Sequence, residues 1–164
     1  MGTILIGLGE FAVTGSRGDT IRTLGLGSCV AVMAFHAGTG AIGMAHIVLP
    51  EAKTNPQKAR ELPAYFADTG IPSLFEALGR LTGGQGRYLV KLAGGAAILK
   101  AQVDLPDALN IGKRNVLATR KALWQRGLGA VAEDVLGEGS RSVSISQGSP
   151  DVEIRLGTQL LRTI

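Results

Sequence analysis

The sequence predicts a single α/β domain spanning residues 1–164, with mixed, largely antiparallel β-sheets packed with two main helices in a three-layer, sandwich-like arrangement. Three observations carry that prediction. Short β-branched and apolar runs separated by glycine-rich turns recur along most of the chain. Only two stretches, 64–81 and 113–126, keep a helical period. Residues 142–146 alternate, apolar Val143 and Ile145 against polar Ser142, Ser144 and Ser146, as in an antiparallel strand with one wet face. A length of 164 residues suits one core, and no internal repeat or composition break divides it.

In chain order, 3–6 and 11–14 read as short strands around Gly7-Leu8-Gly9, and 15–19 as a turn. Residues 21–24 are extended until Gly25 and Gly27 break the regularity. The runs 29–35 and 41–49 form a hairpin about Ala37-Gly38-Thr39-Gly40. Glu51 to Glu61 is polar and reads as a mobile loop. The helix over 64–81 sets Leu74, Leu78 and Leu81 on one core-facing side, with Pro72 near its start. Glycines 83, 84 and 86 end it, and a buried strand follows at 88–92. The helix over 113–126 should bury Val116, Leu117, Ala122, Leu123 and Trp124, and Gly127 and Gly129 stop it. Strands close the chain at 131–135, 142–146 and 152–156.

The hairpin permits a register test, because antiparallel partners have position numbers with a constant sum. A two-residue turn at 37–38 gives 75 and sets Cys29 opposite His46; a four-residue loop, 37–40, gives 77 and makes them diagonal neighbours on one face. An odd-length loop puts them on opposite faces.

Composition narrows the function. The 17 Lys and Arg against 13 Asp and Glu leave a formal charge of +4. These basic residues are scattered, with few aromatics between them, unlike the basic stripe of a nucleic-acid binder, so no nucleic-acid partner is expected. A single cysteine rules out an internal disulfide and suits a reducing compartment. The first residues have no basic n-region and too short an apolar run for a signal peptide or membrane span, and Ile6 stands where a myristoylation signal needs Ser or Thr. The expected location is the cytoplasm.

Cys29 is the only cysteine, and His46 one of two histidines. By residue type alone, a lone cysteine in an apolar strand is a small buried hydrophobe. Three local features point instead to a nucleophile. Gly25, Gly27 and Ser28 can gather backbone N–H groups into an oxyanion hole, a histidine is within register, and Cys29 opens its strand. His36 lies beside the turn, where a solvated role is expected. Two histidines and one cysteine fall short of a metal's three or four ligands, so neither metal nor other cofactor is expected. No acid stands on the hairpin strands to orient His46. Thr23 is a candidate, yet an extended chain would hold it about 20 Å from Cys29. It can share the histidine only if residues 25–27 turn the chain back; otherwise it is a strand residue.

The segments Thr23-Leu24-Gly25-Leu26-Gly27-Ser28-Cys29-Val30-Ala31-Val32 and Gly43-Met44-Ala45-His46-Ile47-Val48-Leu49-Pro50 resemble the signature of the CheD family of chemoreceptor glutamine deamidases. The resemblance continues through residues 65–69, 92–96, 110–115, 132–134 and 141–143. It implies Cys29 as nucleophile, His46 as general base and Thr23 as third member of a triad, with the amides about Gly27 and Ser28 binding the oxyanion. It also implies cytoplasmic helices of methyl-accepting chemoreceptors as substrate and partner, with the phosphatase CheC as a further partner where present. Leu136 departs from the family, which more often has glycine there, and this bears on that loop's shape. A receptor-binding adaptor without turnover and a cysteine amidase of small substrates are the competing classes.

Overall fold

A computed structural model of the chain describes residues 1–97, 106 and 109–164. Ten strands and three α-helices lie among these described residues. One sheet runs in the order β1 (Thr3–Leu5), β3 (Thr20–Leu26), β8 (Arg141–Ser146), β9 (Val152–Leu156), β10 (Gln159–Thr163). The other runs β2 (Phe11–Thr14), β5 (Ile42–Ile47), β4 (Val30–His36), β6 (Tyr88–Gly94), β7 (Ala130–Val135). Each sheet has one parallel pair, β1 with β3 and β6 with β7, and is otherwise antiparallel. The helices are α1 (Pro56–Glu61), α2 (Ala67–Thr82) and α3 (Ile111–Trp124).

The β2–β7 sheet is the middle layer, and its sequence shows why. Along β4 and β5 nearly every residue is buried, because alternate side chains enter two different cores. Val30, Val32, Ala34, Ala45 and Ile47 meet Ile71, Leu74 and Leu78 of α2 and Val116 and Leu123 of α3. Ala31, Met33, Ile42 and Met44 meet Ile21, Val143, Ile145, Val152 and Ile154 of the other sheet. That outer sheet buries one face only, and β8 alternates as its sequence predicts. The layers are therefore sheet, sheet and helices, the expected three-layer arrangement.

Several local expectations are corrected. The segment 51–61 is ordered into a 3₁₀ turn, Ala52–Thr54, and α1, because the Asn55 side chain accepts from the Lys58 amide and Pro56 opens the helix. Helix α2 begins at Ala67, so Pro72 lies within it rather than at its start. Leu74 and Leu78 are buried, but Leu81 is 46% exposed. On α3 the inward stripe includes Asn115 and Thr119, which turns Leu117 and Trp124 outward to 54% and 64% exposure. His36 is buried rather than solvated: its Nε2–H donates to the Gln85 carbonyl at 2.6 Å, and its Nδ1 meets the Thr39 hydroxyl at 2.9 Å. The last strand, β10, has no counterpart in the sequence prediction. Leu136 takes φ 68°, the left-handed region where glycine sits without strain.

Candidate active site

The β4–β5 hairpin adopts the four-residue loop. Val30 pairs with Ile47 and Ala31 with His46, so partner numbers add to 77 and Cys29, one residue before β4, is diagonal to His46 on the same face. That face looks onto the outer sheet, and Cys29 packs, half-buried, against the core between the sheets.

Thr23 reaches His46 across the space between the two sheets. Strand β3 continues through Gly25 to Leu26, with Thr23 opposite Val143 and Leu26 opposite Arg141. The register slips between these pairs, and Gly25 takes φ 63°, so the strand carries a bulge that a residue with Cβ would strain. The chain leaves this strand after Leu26, bends at Gly27 and Ser28 and enters β4 at Val30, passing from one sheet to the other, and the two sheets lie face to face. Thr23 points inward from one and His46 from the other. The Thr23 Oγ1 lies 2.7 Å from His46 Nδ1 and donates its own proton to the Ile6 carbonyl at 2.8 Å.

That pair of hydrogen bonds fixes the proton inventory. With its hydroxyl hydrogen committed to Ile6, Thr23 can only accept from His46, so Nδ1 carries the ring hydrogen and Nε2 the lone pair. Nε2 is buried and has no hydrogen-bond partner among the described residues. Burial lowers the His46 pKa to about 4, against the pull of the Glu10 carboxylate. Burial also raises the Cys29 thiol, partly offset by its own backbone N–H. At neutral pH the resting pair is therefore an uncharged thiol and an uncharged imidazole with its basic nitrogen free.

The strand start that holds Cys29 is anchored through its carbonyls. The Ala96 amide donates to the Gly27 oxygen and the Gly95 amide to the Cys29 oxygen, each at 2.8 Å. The Asn115 side chain donates to the Ser28 oxygen at 2.9 Å. The Ser28 and Cys29 amides have no backbone acceptor among the described residues. An indentation of about 360 Å³ beside His46 is lined by Leu5, Ile6, Gly7, Leu8, Glu10 and Leu24. A larger one, about 800 Å³, lies on the outer face of the β1–β10 sheet and includes neither Cys29 nor His46 among its lining residues. Among the described residues no three His, Cys, Asp or Glu side chains are grouped to hold a metal.

All three predicted side chains thus come to one region, and Gly27 and Ser28 form the approach to Cys29. Sequence reasoning missed three contributors: the Ile6 carbonyl, Glu10 and Asn115. Glu10 is the extension of β2 opposite His46, whose amide donates to the Glu10 carbonyl at 3.0 Å. Only the strand order could reveal it, since β2 pairs with β5, three strands on in the chain, rather than with its neighbour β1. Asn115 had a signal, being a polar residue on the buried stripe of its helix.

The family model described as CheD, chemotactic sensory transduction, matches residues 48–156. A "Probable chemoreceptor glutamine deamidase CheD" of Syntrophotalea carbinolica is 45% identical over 147 residues, 88% of each chain. A "Probable chemoreceptor glutamine deamidase CheD 2" of Anaeromyxobacter dehalogenans is 38% identical over 160 residues, 98% of each. A relative so named in Methanococcus vannielii is 37% identical over 153 residues, covering 93% of this chain and 94% of its own. With one family model matched over most of its length and such relatives along nearly all of it, the chain belongs to the CheD family.

Proposed function

We propose that this protein, acting as one domain in the cytoplasm, hydrolyses the side-chain amide of glutamines in the cytoplasmic helices of methyl-accepting chemoreceptors, giving glutamate and ammonia. The names of its relatives support the reaction and the substrate. The observation that carries the mechanism is the imidazole held at Nδ1 by Thr23 with an unpartnered Nε2, on the same sheet face as Cys29. No helix among the described residues is long and apolar enough to cross a membrane, so the receptor supplies any membrane anchorage in this reading.

In the proposed cycle, His46 Nε2 takes the thiol proton as Cys29 Sγ attacks the amide carbon, and the carbonyl oxygen becomes an oxyanion met by amides near Gly27 to Cys29. The C–N bond then breaks, the protonated ring gives its proton to the departing nitrogen, and ammonia leaves a thioester. Water attacks the thioester while His46 accepts its proton. The C–S bond breaks, the sulfur recovers a proton from the ring, and glutamate is released. The thiol must be deprotonated as it attacks, because the resting pair is uncharged. Thr23, a hydroxyl instead of a carboxylate, orients the ring but stabilises imidazolium less than Asp does in other triads. The expected enzyme is slow, which suits a protein that modifies each receptor a few times. CheC is the further partner, where present.

The test is the intact mass of a receptor cytoplasmic fragment before and after incubation. The wild type is expected to add roughly one dalton per modified glutamine and release ammonia, and Cys29→Ala to do neither while still binding the fragment. Equal turnover by Cys29→Ala rejects the cysteine mechanism. A wild type that binds and never turns over is an adaptor, and one that prefers free glutamine is a small-substrate amidase.

A further inference from the structure

We propose that Asn115 is a positioning residue for the oxyanion hole, holding the Ser28–Cys29 peptide so that the Cys29 amide is presented to the reacting carbonyl. The proposal rests on the deamidase reading above and adds a residue to it.

Asn115 sits in the first turns of α3 and is fully buried. One end of its side-chain amide lies 2.9 Å from the Ser28 carbonyl oxygen and 2.8 Å from that of Val48. Two carbonyl oxygens at those distances identify that end as the NH₂, because an amide oxygen there would face two other acceptors. Both amide hydrogens are thereby spent on the backbone of the candidate site. Ser28 immediately precedes the nucleophile, and Val48 closely follows β5, which carries His46. A single side chain therefore ties the start of the nucleophile strand to the end of the base strand.

The peptide's planarity turns this tether into a directional device. In a trans peptide the C=O and the following N–H point in opposite directions. With the Ser28 oxygen drawn toward α3, the Cys29 N–H must point away from the helix. An amide beside the attacking sulfur is where the tetrahedral oxygen forms. The neighbouring carbonyls are held by backbone amides of Gly95 and Ala96, which leaves Ser28 as the one carbonyl of this approach held by a side chain. The arrangement leaves the Asn115 Oδ1 buried without a partner among the described residues. A purely structural asparagine would be expected to satisfy its own acceptor; here both donors serve the candidate site at the acceptor's expense.

The experiment compares the full-length wild type with Asn115→Asp and Asn115→Ala, using Thr119→Val as a control one turn along the same buried stripe. Three quantities are read on folded protein: kcat and KM on a chemoreceptor cytoplasmic fragment, and the rate of Cys29 alkylation by iodoacetamide. Alkylation is a displacement at an sp³ carbon and forms no oxyanion, so it reports thiol access and basicity without the hole. Loss of the presented amide is expected to cut kcat about 100-fold with KM within about twofold, while alkylation changes less than about fivefold. Thr119→Val keeps wild-type kcat. Asn115→Ala carries the comparison should the aspartate variant not fold. A proportional fall of kcat and alkylation, or unchanged kcat, overturns the positioning role. A wild type that releases no ammonia overturns the deamidase reading and the role with it.

Discussion

Thr23 determines which nitrogen of the imidazole is left to act, and the chain of bonds is short enough to test. The Ile6 carbonyl takes the hydroxyl hydrogen, the hydroxyl oxygen takes Nδ1–H, and Nε2 is left basic. Thr23→Val keeps the shape and removes both bonds, leaving a buried Nδ1–H unpaired and the ring free to adopt the other tautomer. The expected result is a fall of about 10- to 100-fold in kcat with little change in KM, whereas Thr23→Ser, which retains the hydroxyl, stays within a few-fold of the wild type. Wild-type kcat in Thr23→Val would remove threonine from the mechanism. Cys29 and His46 were legible in the sequence because a hairpin's register can be counted from its loop. Thr23 stands as one candidate that only the family resemblance favours, because the bond it makes joins two sheets, and no count along the chain predicts which sheets will face each other.

At the scale of elements, the exit of β6 does for Cys29 what β3 does for His46. Gly94 has φ 106°, and a Cβ placed on it would stand 2.2 Å from the Cys29 carbonyl oxygen. The motif Leu92-Ala93-Gly94-Gly95-Ala96 is thus the backing wall of Cys29, with the two amides after Gly94 bonded to the Cys29 and Gly27 oxygens. Gly94→Ala combines backbone strain with a collision, while Gly83→Ala, at φ 82° with open space around it, has strain alone. Urea unfolding should show a loss of about 1 kcal/mol for Gly83→Ala with activity intact, and about 2–4 kcal/mol for Gly94→Ala with activity impaired. Equal losses at the two sites would mean that the wall yields freely. The sequence located this strand but not its role, since a glycine pair after a strand reads equally well as a turn. Helix α1 was missed because its one favourable signal, the Asn55-Pro56 start, lies in a polar segment without a core stripe. Apolarity alone misplaces Leu117 and Trp124, because on α3 the buried stripe includes the polar residues Asn115 and Thr119.

Across the whole molecule, two stacked sheets must stay in contact for Thr23 to hold His46. Polar and apolar contacts join them, among them Lys91 of β6, which donates to the Pro150 and Ile164 carbonyls. Near the site's end Arg141 of β8 pairs with Asp134 of β7 and also bonds the Asp134 and Leu136 carbonyls, and Arg162 of β10 reaches the same carboxylate at 3.0 Å. The apolar core between the sheets is the larger contact, and its composition was legible as alternation in β8, while the pairing of strands into sheets was not. His46 lies within this junction as an uncharged ring, and that makes folding and proton binding compete. Its folded pKa of about 4 lies below the ordinary 6.5, so between these values the unfolded chain binds a proton that the folded chain refuses. Stability therefore rises with pH across that window, and the contribution is lost as pH falls through it, to about 3 kcal/mol near pH 4. His46→Gln has no titrating ring and should lose this dependence, while the carboxylates common to both proteins cancel in the comparison. Urea unfolding at pH 7, 5.5 and 4.5 should then give a wild-type stability that declines more steeply than the variant's, by at most about 1.4 kcal/mol per pH unit, the slope of one proton. Parallel curves would mean that the ring takes up a proton in place, which the uncharged resting pair at the candidate site does not allow.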